Sequence, residues 1–281
     1  MNFNRIIHSD IAIVICKFLR PKDICTLCRM YPNIISKVSN IYKHRVAEEI
    51  DMFFRYHLGK DYIEFRKVMV RTNAILSGSL ILQLILGERW VGSDIDLFVK
   101  ADPINISKTE YNIIRKNRIR EKYYAFYNWN YEFGLEYTEL HNLLYKFQDE
   151  MNAKYSYVTH SQYMDEMGEN VILRVNNYIK NKNIFQVVEI NSEKYDNLDD
   201  FINTTVDFDI CKNIFRYTTI DNDQMGFELN VDNMKGIINR TTQFKYVHSL
   251  ALSKERRNKY VKRGFKFTYN NDPLGNYNPN I

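Results

Sequence analysis

The amino-acid sequence predicts an α+β protein, and three stretches of the chain support this prediction. Residues 80–86 are apolar nearly all round, as expected of a buried helix, and Gly87 can end that helix in the left-handed conformation. Residues 94–99 have the pattern of a buried strand. Residues 171–175 and 184–190 are two further strand-like segments separated by a polar stretch, which predicts a hairpin.

Length and composition limit the classes of protein to which the chain can belong. With 281 residues, of which 45% are hydrophobic, it can bury a sizeable core in one large or two small domains. The net charge of +5 permits a polyanionic partner but does not require one. No apolar run reaches about 18 residues, so we expect no membrane span. The four cysteines do not form the framework of a secreted protein, which predicts an intracellular location.

The chain is predicted to divide into a small helical unit, residues 1–45, and a main domain, residues 46–281. In the first unit, apolar residues at helical spacing predict a helix that Pro21 breaks. Asp23 can open a second helix directly afterwards. A helical linker over residues 42–70 is expected to lead into the main domain.

Part of the first unit, residues 10–24, resembles an F-box. The F-box is a short helical motif that docks on an adaptor of ubiquitin ligases. Ile7-His8 stands where that motif usually has Leu-Pro. The resemblance implies that residues 1–45 bind such an adaptor. The alternative is an amphipathic helical hairpin that packs against the main domain.

Two short segments of the main domain together have the pattern of a phosphate and metal site. Gly78 and Ser79 lie where a short strand leads into a helix, so backbone N–H groups and a hydroxyl can approach a phosphate. Strand alternation places Asp94 and Asp96 on one face. These like charges repel each other, and a cation between them would relieve the cost. Mg²⁺ prefers carboxylate oxygens together with substrate phosphates, so the pair is a candidate metal site.

Gly78-Ser79, followed after 14 residues by Asp94-Ile95-Asp96, resembles the signature of the nucleotidyltransferase superfamily related to DNA polymerase β. That superfamily includes poly(A) polymerases, CCA-adding enzymes and many minimal transferases. The resemblance implies a mixed-sheet palm with helical insertions. It also implies an NTP substrate whose triphosphate is bound by Gly78 and Ser79. Two Mg²⁺ ions would be held by Asp94, Asp96 and a third carboxylate on a later strand.

The third carboxylate is expected in residues 206–213, an apolar segment that carries two aspartates and is predicted to be a strand. Alternation would place Asp207 and Asp209 on one face of that strand. In the resembling superfamily this strand often reads Phe-Asp, then an apolar residue and a small polar one. On that match we predict Asp207 as the third metal ligand and candidate base, with Asp209 as the alternative.

The end of the chain is predicted to contain two helices, over residues 232–247 and from Ser253, as a cap, to Gly264. The second helix is strongly basic, and Arg256, Lys259 and Arg263 are candidates for contacting RNA phosphates. Its periodicity predicts that three of its residues face inward: Arg257, Tyr260 and Val261. The ending KYVKRGFKF resembles a tail found in nucleotidyltransferase-like proteins of large DNA viruses. That resemblance implies the cytoplasm or nucleus of a host cell, or the virion.

The function expected from these resemblances is Mg²⁺-dependent transfer of a nucleotidyl group from an NTP to a hydroxyl acceptor, with an RNA 3′ end as one acceptor class. Two alternatives stay open. One is an inactive protein of the same fold that binds a partner or belongs to the virion. The other is an F-box-type adaptor for a ubiquitin ligase. Two other features each allow two interpretations. The basic run over residues 115–122 is either a solvated surface or a wall of a phosphate-binding groove, and the aromatic alternation over residues 129–133 is either a strand or core patch or a platform for stacking bases.

Overall fold

A six-stranded mixed sheet is the centre of the fold in the computed structural model. The strands are β1 (Ile75–Ser77), β2 (Ile95–Ala101), β3 (Ile172–Lys180), β4 (Asn183–Asn191), β5 (Asn213–Ile220) and β6 (Gln224–Val231). Their order across the sheet is β3-β4-β2-β1-β5-β6. Strands β2 and β4 run parallel, and the other neighbouring pairs are antiparallel. The predicted α+β class with a mixed sheet is therefore confirmed.

The structure describes residues 9–101, 139–140, 143–144, 171–180, 182–220, 224–243 and 250–268. Eight α-helices have bounds within them: α1 (Ser9–Cys16), α2 (Pro21–Met30), α3 (Ile35–Leu58), α4 (Tyr62–Arg71), α5 (Ser79–Leu86), α6 (Leu198–Thr205), α7 (Met234–Asn239) and α8 (Leu250–Lys262). Three short 3₁₀ helices span Pro32–Ile34, Gly59–Asp61 and Asp209–Cys211. None of the helices in these ranges is long and apolar enough to cross a membrane. The basic run and the aromatic alternation noted above lie outside the described residues.

The two faces of the sheet pack against different helices. Alternate residues of β2 are buried: Ile95, Leu97, Val99 and Ala101. The first three join a large core with α1 to α5. On the opposite face, Phe98 packs with Phe201 and Ile202 of α6. Because side chains alternate along a strand, Asp96 shares the α6 face with Phe98.

The N-terminal helices pack on the main domain rather than standing apart from it. Helix α3 runs through residue 45 without a break, and the core is continuous from Ala12 to Phe267. The buried Tyr42 hydroxyl donates to the Ile85 carbonyl at the end of α5, at 2.5 Å. The division into residues 1–45 and 46–281 stays a prediction about domains.

Several predicted elements are confirmed by the structure. Helix α5, the hairpin of β3 and β4 and the helical segment over residues 42–70 all form. Helix α2 begins at Pro21 itself, with Asp23 in its first turn. Proline suits the first position of a helix because its N–H would have no partner there in any case.

The prediction of a strand over residues 206–213 is wrong. Asp209–Cys211 is a 3₁₀ helix, and β5 begins only at Asn213. The Asp209 carboxylate accepts a hydrogen bond from the Ile210 amide at 2.8 Å, and the Asn213 side chain donates to the Ile210 carbonyl at 2.5 Å. These local side-chain bonds compete with the extended conformation that the apolar residues favour. The strand that does follow, β5, was not predicted.

The prediction of one helix over residues 232–247 is also wrong. Helix α7 starts after Asn233, whose side chain accepts a hydrogen bond from the Gly236 amide at 2.7 Å. It ends at Arg240, which adopts the left-handed conformation with φ 54°. The chain then forms β7 (Thr241–Thr242), which pairs in parallel with β8 (Lys266–Phe267). A partner that lies beyond α8 in the chain therefore decides the conformation here.

Candidate functional site

The turn between β1 and α5 brings the backbone against the Asp96 carboxylate. Gly78 links the two elements with φ 84°, a conformation that favours glycine. A methyl group at Gly78 would overlap Asp96 Oδ2 and lie 3.4 Å from Asp96 Cγ. Ser77 pairs with Asp96 across the sheet, and the Ser79 amide donates a hydrogen bond to the Asp96 carboxylate. Ser79 itself is buried. The predicted phosphate-binding turn and the predicted acid pair are thus in direct contact.

Asp94 and Asp96 form an acid pair that the protein does not neutralise with a direct ion pair among the described residues. Desolvation and the neighbouring Asp94 charge raise the pKa of Asp96 to about 6, against the opposing influence of Arg256 and Lys259. Desolvation also raises the pKa of Asp94, and Lys259 opposes that shift. The charged forms of both acids are therefore disfavoured until a positive group approaches them.

Asp207 is buried beside a basic side chain of α8. One of its carboxylate oxygens lies 3.2 Å from an Arg256 guanidinium nitrogen. The same guanidinium lies over the ring of Phe208, 5.7 Å from its centre, and it interacts electrostatically with Asp96. Arg256 therefore interacts both with the predicted third acid and with Asp96 of β2.

Asp209, the alternative third acid, is buried and bonded within the protein. Its Oδ1 accepts hydrogen bonds from the Thr242 hydroxyl at 2.7 Å and from the Gln243 amide at 3.0 Å. Its Oδ2 accepts one from the Asn233 side chain at 2.6 Å. The bonds from Asn233 and Thr242 connect the 3₁₀ helix Asp209–Cys211 to α7 and β7, and the Ile210 amide donates a further bond within that helix. Their number gives Asp209 the role of a structural anchor.

The basic face of α8 is turned towards the acids. Lys259 interacts electrostatically with both Asp94 and Asp96, and desolvation together with Arg263 lowers its own pKa. Arg263 donates to the Ser93 hydroxyl at 3.0 Å, and its guanidinium lies 4.1 Å from the centre of the Trp90 ring. Both contacts are in the loop that leads into β2, so Arg263 ties α8 to the segment that carries the acids.

The orientation of α8 was predicted only in part. Tyr260 and Arg257 are buried as predicted, whereas Val261 is 41% exposed, so its predicted inward position is wrong. Helix α8 begins at Leu250, upstream of the predicted cap Ser253. Arg256, Lys259 and Arg263 are spaced i, i+3 and i+7, which is the spacing of one helix face. This spacing predicts that the three basic side chains share a face, but it does not predict that the face lies against Asp94, Asp96 and Asp207.

The donor set suits a divalent cation in chemistry but is not assembled as a three-acid site. Carboxylate oxygens are the ligands that Mg²⁺ prefers, and the pKa of Asp96 is raised by desolvation and then by repulsion from Asp94, both of which a bound cation would oppose. Within the described ranges, however, no three His, Cys, Asp or Glu side chains are grouped closely enough to hold a metal ion. Asp94 and Asp96 thus fit a cation as they stand, while Asp207 is paired with Arg256.

Comparison with known proteins finds similarity among solved structures. No protein-family model and no curated protein sequence matches the chain. An apo CCA-adding enzyme is 12% identical with a TM-score of 0.39, and the alignment covers 79% of this chain and 43% of that one. A CCA-adding enzyme in complex with CTP is 12% identical with a TM-score of 0.40, and the alignment covers 79% of this chain and 43% of that one. The Thermotoga maritima CCA-adding enzyme complexed with tRNA is 12% identical with a TM-score of 0.38, and the alignment covers 77% of this chain and 41% of that one. The chain spans less than half the length of each of these three structures, and similarity at this level carries no functional conclusion.

Proposed function

We propose that this protein transfers a nucleotidyl group from an NTP to a hydroxyl acceptor in a Mg²⁺-dependent reaction. The observation that carries the proposal is the contact of the Gly78 turn with Asp96, beside the repelling charge of Asp94. A backbone that approaches so closely to Asp96, which has no direct ion pair among the described residues, suits a metal-bound polyphosphate better than it suits a purely structural role. The basic face of α8 supplies the positive charges that such a substrate needs.

Each residue of the site has a proposed role. Asp94, Asp96 and Asp207 would hold two Mg²⁺ ions, which when bound promote ionisation of the attacking hydroxyl and neutralise the leaving pyrophosphate. Gly78 leaves room for the triphosphate, and the Ser79 amide and hydroxyl are its proposed donors. The Ser79 amide bonds Asp96 here and would have to leave that acid to bind phosphate; the Gly78 amide is the third proposed donor. Asp207 is the candidate base that receives the proton of the acceptor hydroxyl.

The proposed acceptor class is an RNA 3′ end, bound with the help of Arg256, Lys259 and Arg263. Positive charges that contact phosphates release counterions, so affinity falls as salt rises. Because Lys259 and Arg263 also lie close to the acid pair, their contact would be with phosphates at the reacting end. Changing Arg263 to Gln should lower the salt dependence of RNA binding by about one counterion, whereas Lys266→Gln, at an exposed residue beyond α8, should not. An unchanged salt slope in the Arg263 variant would argue against this contact.

The test of the reaction is incubation with each labelled NTP, Mg²⁺ and a mixture of RNA, tRNA, protein and small-molecule hydroxyl acceptors. Asp94→Asn should reduce label transfer by at least about a hundredfold, because it removes one of the acids that meet the metal–nucleotide complex. Asp232→Asn, at an exposed position, is the matched control and should keep full activity. Transfer that persists in the Asp94 variant would refute the proposed site.

A second candidate is a non-catalytic binding protein with the same site. The observation that favours it is the ion pair of Asp207 with Arg256, which neutralises the acid that catalysis would need. In that case the wild-type protein would bind labelled NTP or RNA but transfer no label to any acceptor.

A third candidate is the adaptor for a ubiquitin ligase, which rests on the F-box resemblance of residues 10–24. Helix α1 and the turn that follows it expose large apolar residues: Ile11, Val14, Ile15 and Phe18. An apolar helix face of this kind is suited to a protein partner. Phe18→Asp should abolish co-purification with the helical adaptor, whereas Lys37→Asp, at an exposed site on α3, should not. The intracellular or virion location and the viral source remain predictions.

A further inference from the structure

The ion pair between Arg256 and Asp207 places a positive charge where the proposed function, on which this inference rests, requires a divalent cation. Asp207 is 4% exposed, so its carboxylate has little access to water that could solvate its charge. Arg256 compensates the charge from 3.2 Å, while about half of its own side chain, 48%, is exposed. The acid is therefore fixed in the interior, and the arginine is the partner that can leave.

Arg256 has a defined resting position rather than an arbitrary surface conformation. Its guanidinium lies over the Phe208 ring and interacts electrostatically with Asp96 as well as with Asp207. The helix that carries it is fixed on both sides: Tyr260 packs edge-on against Phe208, with ring centres 5.5 Å apart, and Arg263 bonds Ser93. The backbone of α8 is thus held in place, so breaking the Arg256–Asp207 pair requires movement of the Arg256 side chain and not of the helix.

We propose that Arg256 is an internal counter-ion that competes with a divalent cation for Asp207. In the state described, the guanidinium neutralises Asp207, and no three-acid group is assembled among the described residues. Asp207 becomes a ligand only after Arg256 turns away from it, because a carboxylate oxygen that faces a guanidinium at ion-pair distance is shielded from a second cation. Cation binding and the Arg256–Asp207 pair therefore exclude each other.

This competition has a consequence for stability. Leaving Asp207 buried with neither partner would be costly, since an isolated buried carboxylate loses its hydration. Arg256 removes that cost when no cation is bound and so keeps the fold intact without metal. In this proposal the pair keeps a metal-ready acid in the interior.

The test is a titration of the full-length protein with MnCl₂, following free Mn²⁺ by electron paramagnetic resonance in the absence of nucleotide. Arg256→Gln should tighten Mn²⁺ binding by about five- to tenfold, because the competitor for Asp207 is gone. Arg256→Lys, which keeps the charge but not the planar fork, should give a smaller gain and serves if the Gln variant does not fold. Lys262→Gln, on the exposed side of the same helix, should change nothing.

A double-mutant cycle separates competition from simple removal of a positive charge. In an Asp207→Asn background, Arg256→Gln should no longer tighten Mn²⁺ binding. Lys259→Gln should tighten Mn²⁺ binding both with and without Asp207, because the Lys259 charge acts on Asp94 and Asp96. Mn²⁺ binding that depends on Asp94 but is not tightened by Arg256→Gln would overturn the competition alone. Absence of Mn²⁺ binding in every variant, or binding that survives Asp94→Asn, would overturn the proposed metal site and this inference together.

Discussion

Two Asp-x-Asp segments of this chain have the same spacing but opposite electrostatic environments. Asp94 lies just before β2 and Asp96 is its second residue; desolvation raises the pKa of both, and no direct ion pair within the described residues compensates them. Asp207 and Asp209 lie in the segment after α6, where both are buried and both are compensated. Arg256 neutralises the first of these, and three neighbouring groups beyond the local turn bond the second.

The difference shows how a protein can use the same residue type for binding and for structure. A carboxylate that accepts hydrogen bonds from fixed donors stabilises the fold and has little capacity left for a ligand. A carboxylate held near a like charge destabilises the fold slightly and gains from any cation that binds. The segment of Asp94 and Asp96, which has no direct ion pair among the described residues, is therefore the natural binding element, and Asp207 is intermediate because its partner is a half-exposed side chain.

The largest expected effect is the loss of Asp209. Asp209→Ala should lower the free energy of unfolding by about 3–5 kcal/mol, because the donors of Thr242, Asn233 and Gln243 lose a buried acceptor. Asp94→Ala should change it by no more than about 0.5 kcal/mol, and in the stabilising direction, since it removes a repulsion. Urea denaturation of the two variants measures both values. A larger loss in the Asp94 variant would break the comparison between the two segments.

A smaller effect is expected from a methyl group in the turn that contacts Asp96. Gly78→Ala should lower the free energy of unfolding by about 2–4 kcal/mol, since it combines an unfavourable positive φ with overlap of the Asp96 carboxylate. Gly92 also has a positive φ, 71°, but has open space around its Cβ position, so Gly92→Ala should cost only about 1 kcal/mol. Thermal unfolding of both variants isolates the overlap. Equal losses would mean that the close approach to Asp96 contributes nothing.

The last expected effect is on the pH dependence of stability. The pKa of Asp96 is raised from 3.8 to about 6 in the folded protein, so the folded state holds a proton more tightly than the unfolded state does. The stabilisation from that proton is complete below about pH 3.8 and is lost as the pH rises through about 6. Between these values the free energy of unfolding should fall less steeply with rising pH in Asp96→Asn than in the wild type. The exposed control Asp232→Asn should follow the wild-type profile, and a wild-type-like profile in Asp96→Asn would contradict the shift.

Prediction from the sequence succeeded where neighbouring residues decide the structure. The apolar run of α5, the glycine that precedes it and the alternation along β2 each act over a few residues, so they can be recognised without knowing the fold. Prediction failed around Asp209 and Thr241. There the conformation depends on hydrogen bonds between residues about thirty positions apart and on pairing with a strand beyond α8. No local pattern contains that information.

The sequence by itself determined that an apolar helix follows a glycine turn and that two closely spaced acids lie where a buried strand begins, because these features follow from the periodicities of helices and strands. Only the tertiary structure decided which of the later acids is bonded inside the fold and which faces Arg256. The physical reason is that every aspartate has the same chemistry wherever it occurs in the sequence. Whether its carboxylate stabilises the fold or can bind a ligand depends on the groups that packing places around it.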